Sequence, residues 1–235
     1  MGHNKYKILP VFLILVLVFF ILLSGSCTIK KISEVDKGKK NDEYSTWTKS
    51  GKAFDPVEYV DSIWEEKLLP LFLSSSFPFQ EVFAALQSDS EEATKKYGLK
   101  RKSGEHVAAF KVKGTGVVLQ YDDSSRNGLL AVDLLPADGT ADVTLQVGPV
   151  IRKTAIRDSM DFISFTDVGN QLQFASLADE LNARMKKDAV EPLDLENIAG
   201  KTIEFYGAFK IEDDQGIDAI VVTPVKIDVT EGQGE

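Results

Sequence analysis

HVAAFKVKGTGVVLQYDDSSRNGLLAVDLL, residues 106–135, is where the pattern of this chain turns from helical to extended. From His106 to Asp122 it is β-rich over an unusual length, with Gly114 and Gly116 in the middle. Glycines inside a strand mark a bulge or a sharp bend, so one long, bent strand is expected here. SSRNG (124–128) then makes a turn, and its Asn127-Gly128 pair is the strongest short-range hairpin signal a sequence can carry. LLAVDLL (129–135) returns as a second strand.

Outward from this hairpin the extended pattern repeats. ADG (137–139) turns the chain into ADVTLQVG (141–148), a third strand. GKTIEFYGAFKI (200–211) and AIVVTPVKIDV (219–229) supply a fourth and a fifth, separated by the polar turn EDDQG (212–216). Between the third and fourth lies SLADELNARMKKDAV (176–190), a helix with Ser176 and Asp179 at its cap and Leu177, Leu181 and Met185 in one apolar stripe. Upstream, FDPVEYVDSIWEEKLLP (54–70) opens a helix. Asp55 is its N-cap, Pro56 suits the first helical position, and Glu58 completes a capping box. Val57, Val60, Ile63 or Trp64, and Leu68 form its apolar face, and Pro70 is the expected stop. Further helices are expected over Phe79–Leu86 and Glu91–Tyr97, the latter capped by Asp89 and ended by Gly98. The order of elements predicts an α+β fold: an OB-like five-stranded antiparallel barrel over residues 105–230, an N-terminal helical layer over 53–104, and a helix between strands three and four.

The N-terminus points to a compartment. Lys5 and Lys7 precede an apolar run from Ile8 to Leu23, followed by Ser24-Gly25-Ser26. This is the three-part pattern of a signal peptide, residues 1–26. The run is shorter than the roughly 20 residues that span a bilayer as a helix. Cys27 is the one cysteine of the 235 residues, so no internal disulfide is available to it. Its surroundings resemble a bacterial lipobox, with small Gly25 and Ser26 before it, although Ser24 stands where leucine is usual. The resemblance implies that Cys27 becomes a lipid-bearing N-terminus, and Thr28 after it carries no inner-membrane retention signal. Residues 27–52 are then the lipidated cysteine and a polar tether.

Loss of the signal, which carries two lysines and no acids, moves the formal charge from −9 to −11. An acidic balance disfavours nucleic acid as a partner, because phosphate binding needs concentrated Lys and Arg. The one basic run, Lys95, Lys96, Lys100, Arg101 and Lys102, reads as a solvated helix end. Only His3 and His106 exist, and His3 leaves with the signal. No His or Cys metal set, nucleophile elbow, calcium loop or phosphate-cradling loop is present, so no catalytic residue, metal or cofactor is expected and the protein does not read as an enzyme. The densest polar constellation lies between Gln146 and Gln171. Gln146, Arg152, Arg157, Asp158, Asn170 and Gln171 sit there among apolar neighbours, a set suited to oriented hydrogen bonding with a small polar molecule or a partner. Two alternatives stay open: Arg157 pairs with a local carboxylate, and Asn170 and Gln171 satisfy loop backbone or cap the next element.

Three stretches taken together, FDPVEYVDSIWEEKLLP, KVKGTG with SSRNG, and QVGPVIRKTAIRDSMDFISFTDVGNQ (146–171), resemble a family of predicted periplasmic lipoproteins of bacteria. The likeness runs from Phe54 to about Val229. The family block reads Gly-Pro-Val-Ile-Arg-Gly-Thr, and here Lys153 stands at its second glycine. The lipoprotein resemblance implies an extracytoplasmic protein held to the membrane through Cys27, and because members are often encoded beside sugar ABC transporters it also implies a transport-accessory role with transporter components as partners. Two functions are expected: a non-catalytic accessory or binding lipoprotein of a sugar ABC uptake system, or an envelope scaffold with no small ligand.

Overall fold

Residues 54–100, 108–151, 153–211, 217 and 220–230 are described by a computed structural model. The signal segment, Cys27, the tether, His106, Arg152 and the EDDQG turn lie outside the described residues. Helix α1 (Pro56–Ile63) begins where its cap demands, with the Asp55 carboxylate accepting from the Val57 and Glu58 amides at 2.9 and 3.2 Å. It does not end at Pro70. A π-helical turn, Trp64–Leu68, carries the chain into α2 (Leu69–Ser75), and the Leu69 amide donates to the Trp64 carbonyl. Pro70 therefore falls in the first turn of α2, where its missing N–H and fixed φ are tolerated. Helices α3 (Phe79–Ser88) and α4 (Ser90–Tyr97) follow, and Asp89 caps α4 by accepting from the Glu91 and Glu92 amides. No described helix is long and apolar enough to cross a membrane.

The sheet has seven strands, not five, and is mixed rather than antiparallel: β1 (Phe77–Pro78), β2 (Gly98–Lys100), β3 (Ala108–Asp122), β4 (Leu129–Leu134), β5 (Val143–Gln146), β6 (Thr202–Ile211) and β7 (Val221–Thr230). β3 pairs with β4, β4 with β5, β5 with β7, β7 with β6, and β6 returns to β3, so five strands form a closed cycle of pairings. A cycle of five strands cannot alternate direction all the way round, and one pair must be parallel. That pair is β5–β7. The two extra strands occupy the edge of β3 that β4 does not reach: β2 lies along Ala108–Phe110 and β1 along Val112–Lys113, while β4 starts at Gly116.

β3 departs from regular pairing between Val118 and Gln120, beyond its glycines. Gly116 answers a different need, since a Cβ there would stand 2.3 Å from the Asp133 carbonyl oxygen. The turn to β4 is also longer than a two-residue hairpin. Gly128 takes φ +50°, and the Val147 and Gly148 amides donate to Gly128 and Asn127, tying the turn to the end of β5. In β7, Pro224 lies opposite Gly207 where the β6–β7 register shifts, as a residue without an N–H requires.

Between β5 and β6 run α5 (Ala155–Asp158), α6 (Phe165–Val168) and α7 (Gln171–Met185), and α7 continues as a second π-helical segment, Lys186–Val190. α7 begins five residues before Ser176. Its cap is Asn170, whose carboxamide accepts from the Gln173 amide at 2.9 Å and donates to the Gln173 side chain at 3.0 Å. Arg184 ties α7 to α1 through Asp61 at 2.7 Å and to the π-helical turn through Glu65 at 3.4 Å. One cluster of buried apolar side chains joins the helices to the sheet, from Val60, Trp64 and Phe72 to Phe110, Phe205, Phe209 and Val225.

Candidate functional site

Gln146, Arg157, Asp158 and Asn170 are each engaged with different protein partners. Gln146, at the end of β5, is buried, and its carboxamide donates to the Thr223 hydroxyl at 2.5 Å. Arg157 packs its guanidinium 3.7 Å over the Phe174 ring and donates to the Phe174 carbonyl and to Asp158. Asp158 in turn accepts from the Thr154 hydroxyl at 2.5 Å and pairs with Lys210 at 2.9 Å. Burial pushes the Asp158 carboxyl up, yet the Thr154 and Lys210 hydrogen bonds and the charges of Arg157 and Lys210 together hold it below the ordinary carboxylate value. These contacts fasten α5 to β6 and α7. Asn170 is the helix cap, and Gln171 is an exposed first-turn residue.

A cleft of about 330 Å³ opens beside this cluster. Its walls come from the C-terminal end of α2 (Ser74, Ser75, Ser76), the end of α4 (Lys96, Tyr97), and Ala109 and Lys111 of β3, with Ser159 following α5. At the rim, the Tyr97 hydroxyl donates to Glu81 at 2.7 Å, and Lys96 donates to the Tyr97 oxygen at 2.5 Å while lying 3.7 Å from Glu81. Phe77 meets the Tyr97 ring edge-on at 4.9 Å. Deeper in, two polar groups have no hydrogen-bond partner among the described residues. Ser76 is 7% exposed and its buried hydroxyl makes no hydrogen bond. Lys111 is half-buried, and burial pulls its ammonium below the ordinary lysine range against the opposing charge of Asp161.

Sequence reasoning passed over Lys111 because it alternates with Phe110 and Val112 as an outward residue of a half-buried strand should. What hides it is α2 and α5 lying on that face, a long-range placement that no local pattern encodes.

Residues 16–228 match the family described as "Predicted periplasmic lipoprotein (DUF2291)". The chain belongs to this family. Membership of DUF2291 places it outside the cytoplasm, among lipoproteins of the cell envelope. An OB-fold protein from Thermotoga maritima, known from a crystal structure, aligns with a TM-score of 0.64 over 76% of this chain and 100% of that one. At 20% identity the likeness shows the fold alone. No curated protein matches. In the DUF2291 block, the position where this chain carries Lys153 has φ 75°, the left-handed conformation that glycine adopts without strain.

Proposed function

We propose that this DUF2291 member is a non-catalytic, lipid-anchored binding lipoprotein that works beside a sugar ABC uptake system, with an OB-type barrel as its folded part and Cys27 as its anchor. The cleft between α2, α4 and β3 carries this reading, because it is concave, partly polar, and lined by Lys111, a half-buried cation that forms no ion pair among the described residues. The family description and the pattern before Cys27 support the anchor, and the resemblance to lipoproteins encoded beside sugar transporters supports the partner.

Two measurements on one membrane preparation test the reading. Mass spectrometry is expected to find an acylated peptide starting at Cys27, and Cys27→Ala to release or mislocalise the protein. Retention of Met1 with unchanged membrane attachment would mean an uncleaved anchor instead. Affinity purification in mild detergent is expected to bring down ABC transporter subunits. A scaffold reading draws on one observation, the exposure of Leu172 (81%) and Phe165 (44%) near the start of α7. Co-purification of envelope proteins unrelated to transport, abolished by Leu172→Asp, would favour it.

A further inference from the structure

Lys111 and Lys210 stand on one face of the sheet. β3 and β6 pair with Ala109 opposite Lys210 and Lys111 opposite Ala208, and alternate residues of a strand share a face. Helices α2 and α5 pack over these strands and leave the cleft beside Lys111. The charges around Lys210 close among themselves, since Asp158 is shared by Lys210, Arg157 and the Thr154 hydroxyl. At the rim, Lys96 is answered by Glu81. Lys111 has no such answer. Asp161, an exposed residue, acts on it only through space and forms no ion pair with it. The cleft of a chain with formal charge −9 therefore holds a half-buried cation that forms no ion pair among the described residues. Such a group is costly to keep. The cost at Lys111 disappears when an anionic oxygen enters.

We infer that the cleft binds a small molecule through an oxyanion, a carboxylate or a phosphate, with Lys111 Nζ as the counter-charge. This rests on the reading of the protein as a binding module and names its ligand class. The volume, about 330 Å³, lies at the small end of ligand pockets, which run from about 300 to 1,000 Å³, so the ligand is a single sugar-sized acid or phosphate ester and not an oligomer. Tyr97 and Phe77 supply an apolar and aromatic wall for the uncharged part.

Calorimetric titration of the full lipoprotein in detergent, at low ionic strength, tests the inference with three probes: glucuronate, glucose 6-phosphate and neutral glucose. One or both anions are expected to bind and glucose is not, and the preferred anion tells carboxylate from phosphate. Lys111→Met is expected to weaken that binding at least tenfold, and Lys111→Arg to retain much of it. Binding to the wild type should fall at a lower pH than the range in which ordinary lysines lose their proton, and Lys111→Arg should remove that dependence. Equal binding of glucose, no binding of either anion, or Lys111→Met binding as well as wild type would each overturn the anion site. Acylation and co-purification, read separately, would then still decide the wider functional reading.

Discussion

Lys153 holds a backbone conformation that a side chain resists. Its φ of 75° brings Cβ toward the following carbonyl, a strain of roughly 1–2 kcal/mol for residues other than glycine. Lys153→Gly is therefore expected to stabilise the protein by about 1 kcal/mol, part of the relief being offset by the extra freedom glycine has when unfolded. Chemical denaturation with an unchanged slope would read this as a shift in midpoint. Gly116 tests the opposite sense. A methyl group there meets the Asp133 carbonyl at 2.3 Å, a backbone atom that cannot swing aside, so Gly116→Ala should cost about 1–3 kcal/mol and loosen the β3–β4 ladder. Lys111 gives a third residue-scale expectation, with its sign set by linkage. Its folded pKa is depressed, so the unfolded chain binds the proton more tightly and Lys111 detracts from stability at neutral pH. The penalty fades as pH rises from the depressed folded value to the ordinary lysine value and is gone above it. Lys111→Met should accordingly melt no lower than wild type at pH 7, with the advantage shrinking as pH rises toward about 10 and gone above it.

At the scale of elements, the short helix α5 is fastened by charge. Asp158 accepts from Thr154 on its own turn and pairs with Lys210 on β6 and with Arg157, whose guanidinium covers Phe174 of α7. Asp158→Asn removes the carboxylate and leaves two poorly exposed cations facing each other, a change expected to cost about 3–5 kcal/mol. The folded pKa of Asp158 is depressed, so its contribution is present above its unfolded value, about 3.9, and is lost as pH falls through the folded value. The difference between wild type and Asp158→Asn should thus narrow in acid, which melting curves from pH 7 down to pH 3 would show. The same elements mark what could be read in the chain beforehand. Asp55 and Asp89 sit where local hydrogen-bonding chemistry puts them, and strong alternation located the five ring strands in order. α7 starts before Ser176, and of the two openings the sequence offers it takes Asn170, the cap of the next element, whose spacing to Gln173 is that of a capping box. Pro70 misled because the π-helical turn before it depends on tertiary packing of Trp64 and Leu68. Lys111, Ser76 and Tyr97 come together only after α2, α4 and β3 have docked, and nothing in their sequence neighbourhoods announces it.

For the molecule as a whole, the question is whether the helices of residues 53–104 are an added layer or half of the core. Val60, Trp64, Leu68, Phe72, Phe79 and Val82 are all buried, and they belong to the same apolar cluster as Phe110, Phe205 and Phe209 of the sheet. Phe79 also meets the Phe209 ring at 6.1 Å. Each such burial is worth about 1.5–3 kcal/mol, so losing six approaches or exceeds the whole stability of a typical domain, about 5–15 kcal/mol. A chain starting at residue 105 is therefore expected not to fold. One starting at Gly51 should fold as well as the full chain, because residues 28–50 are too polar to bury much surface. That shorter chain lacks Trp47 and retains Trp64 as its one tryptophan, buried between helices and sheet, which makes the test direct. Trp64 fluorescence reports the helical layer, and circular dichroism in the far ultraviolet reports the whole backbone. Coincident melting of the two signals is the expected result of a single shared core. Loss of Trp64 fluorescence at a distinctly lower temperature would mean that the sheet holds without the helices, and a large drop in stability relative to the full chain would assign Trp47 and its neighbours to the fold.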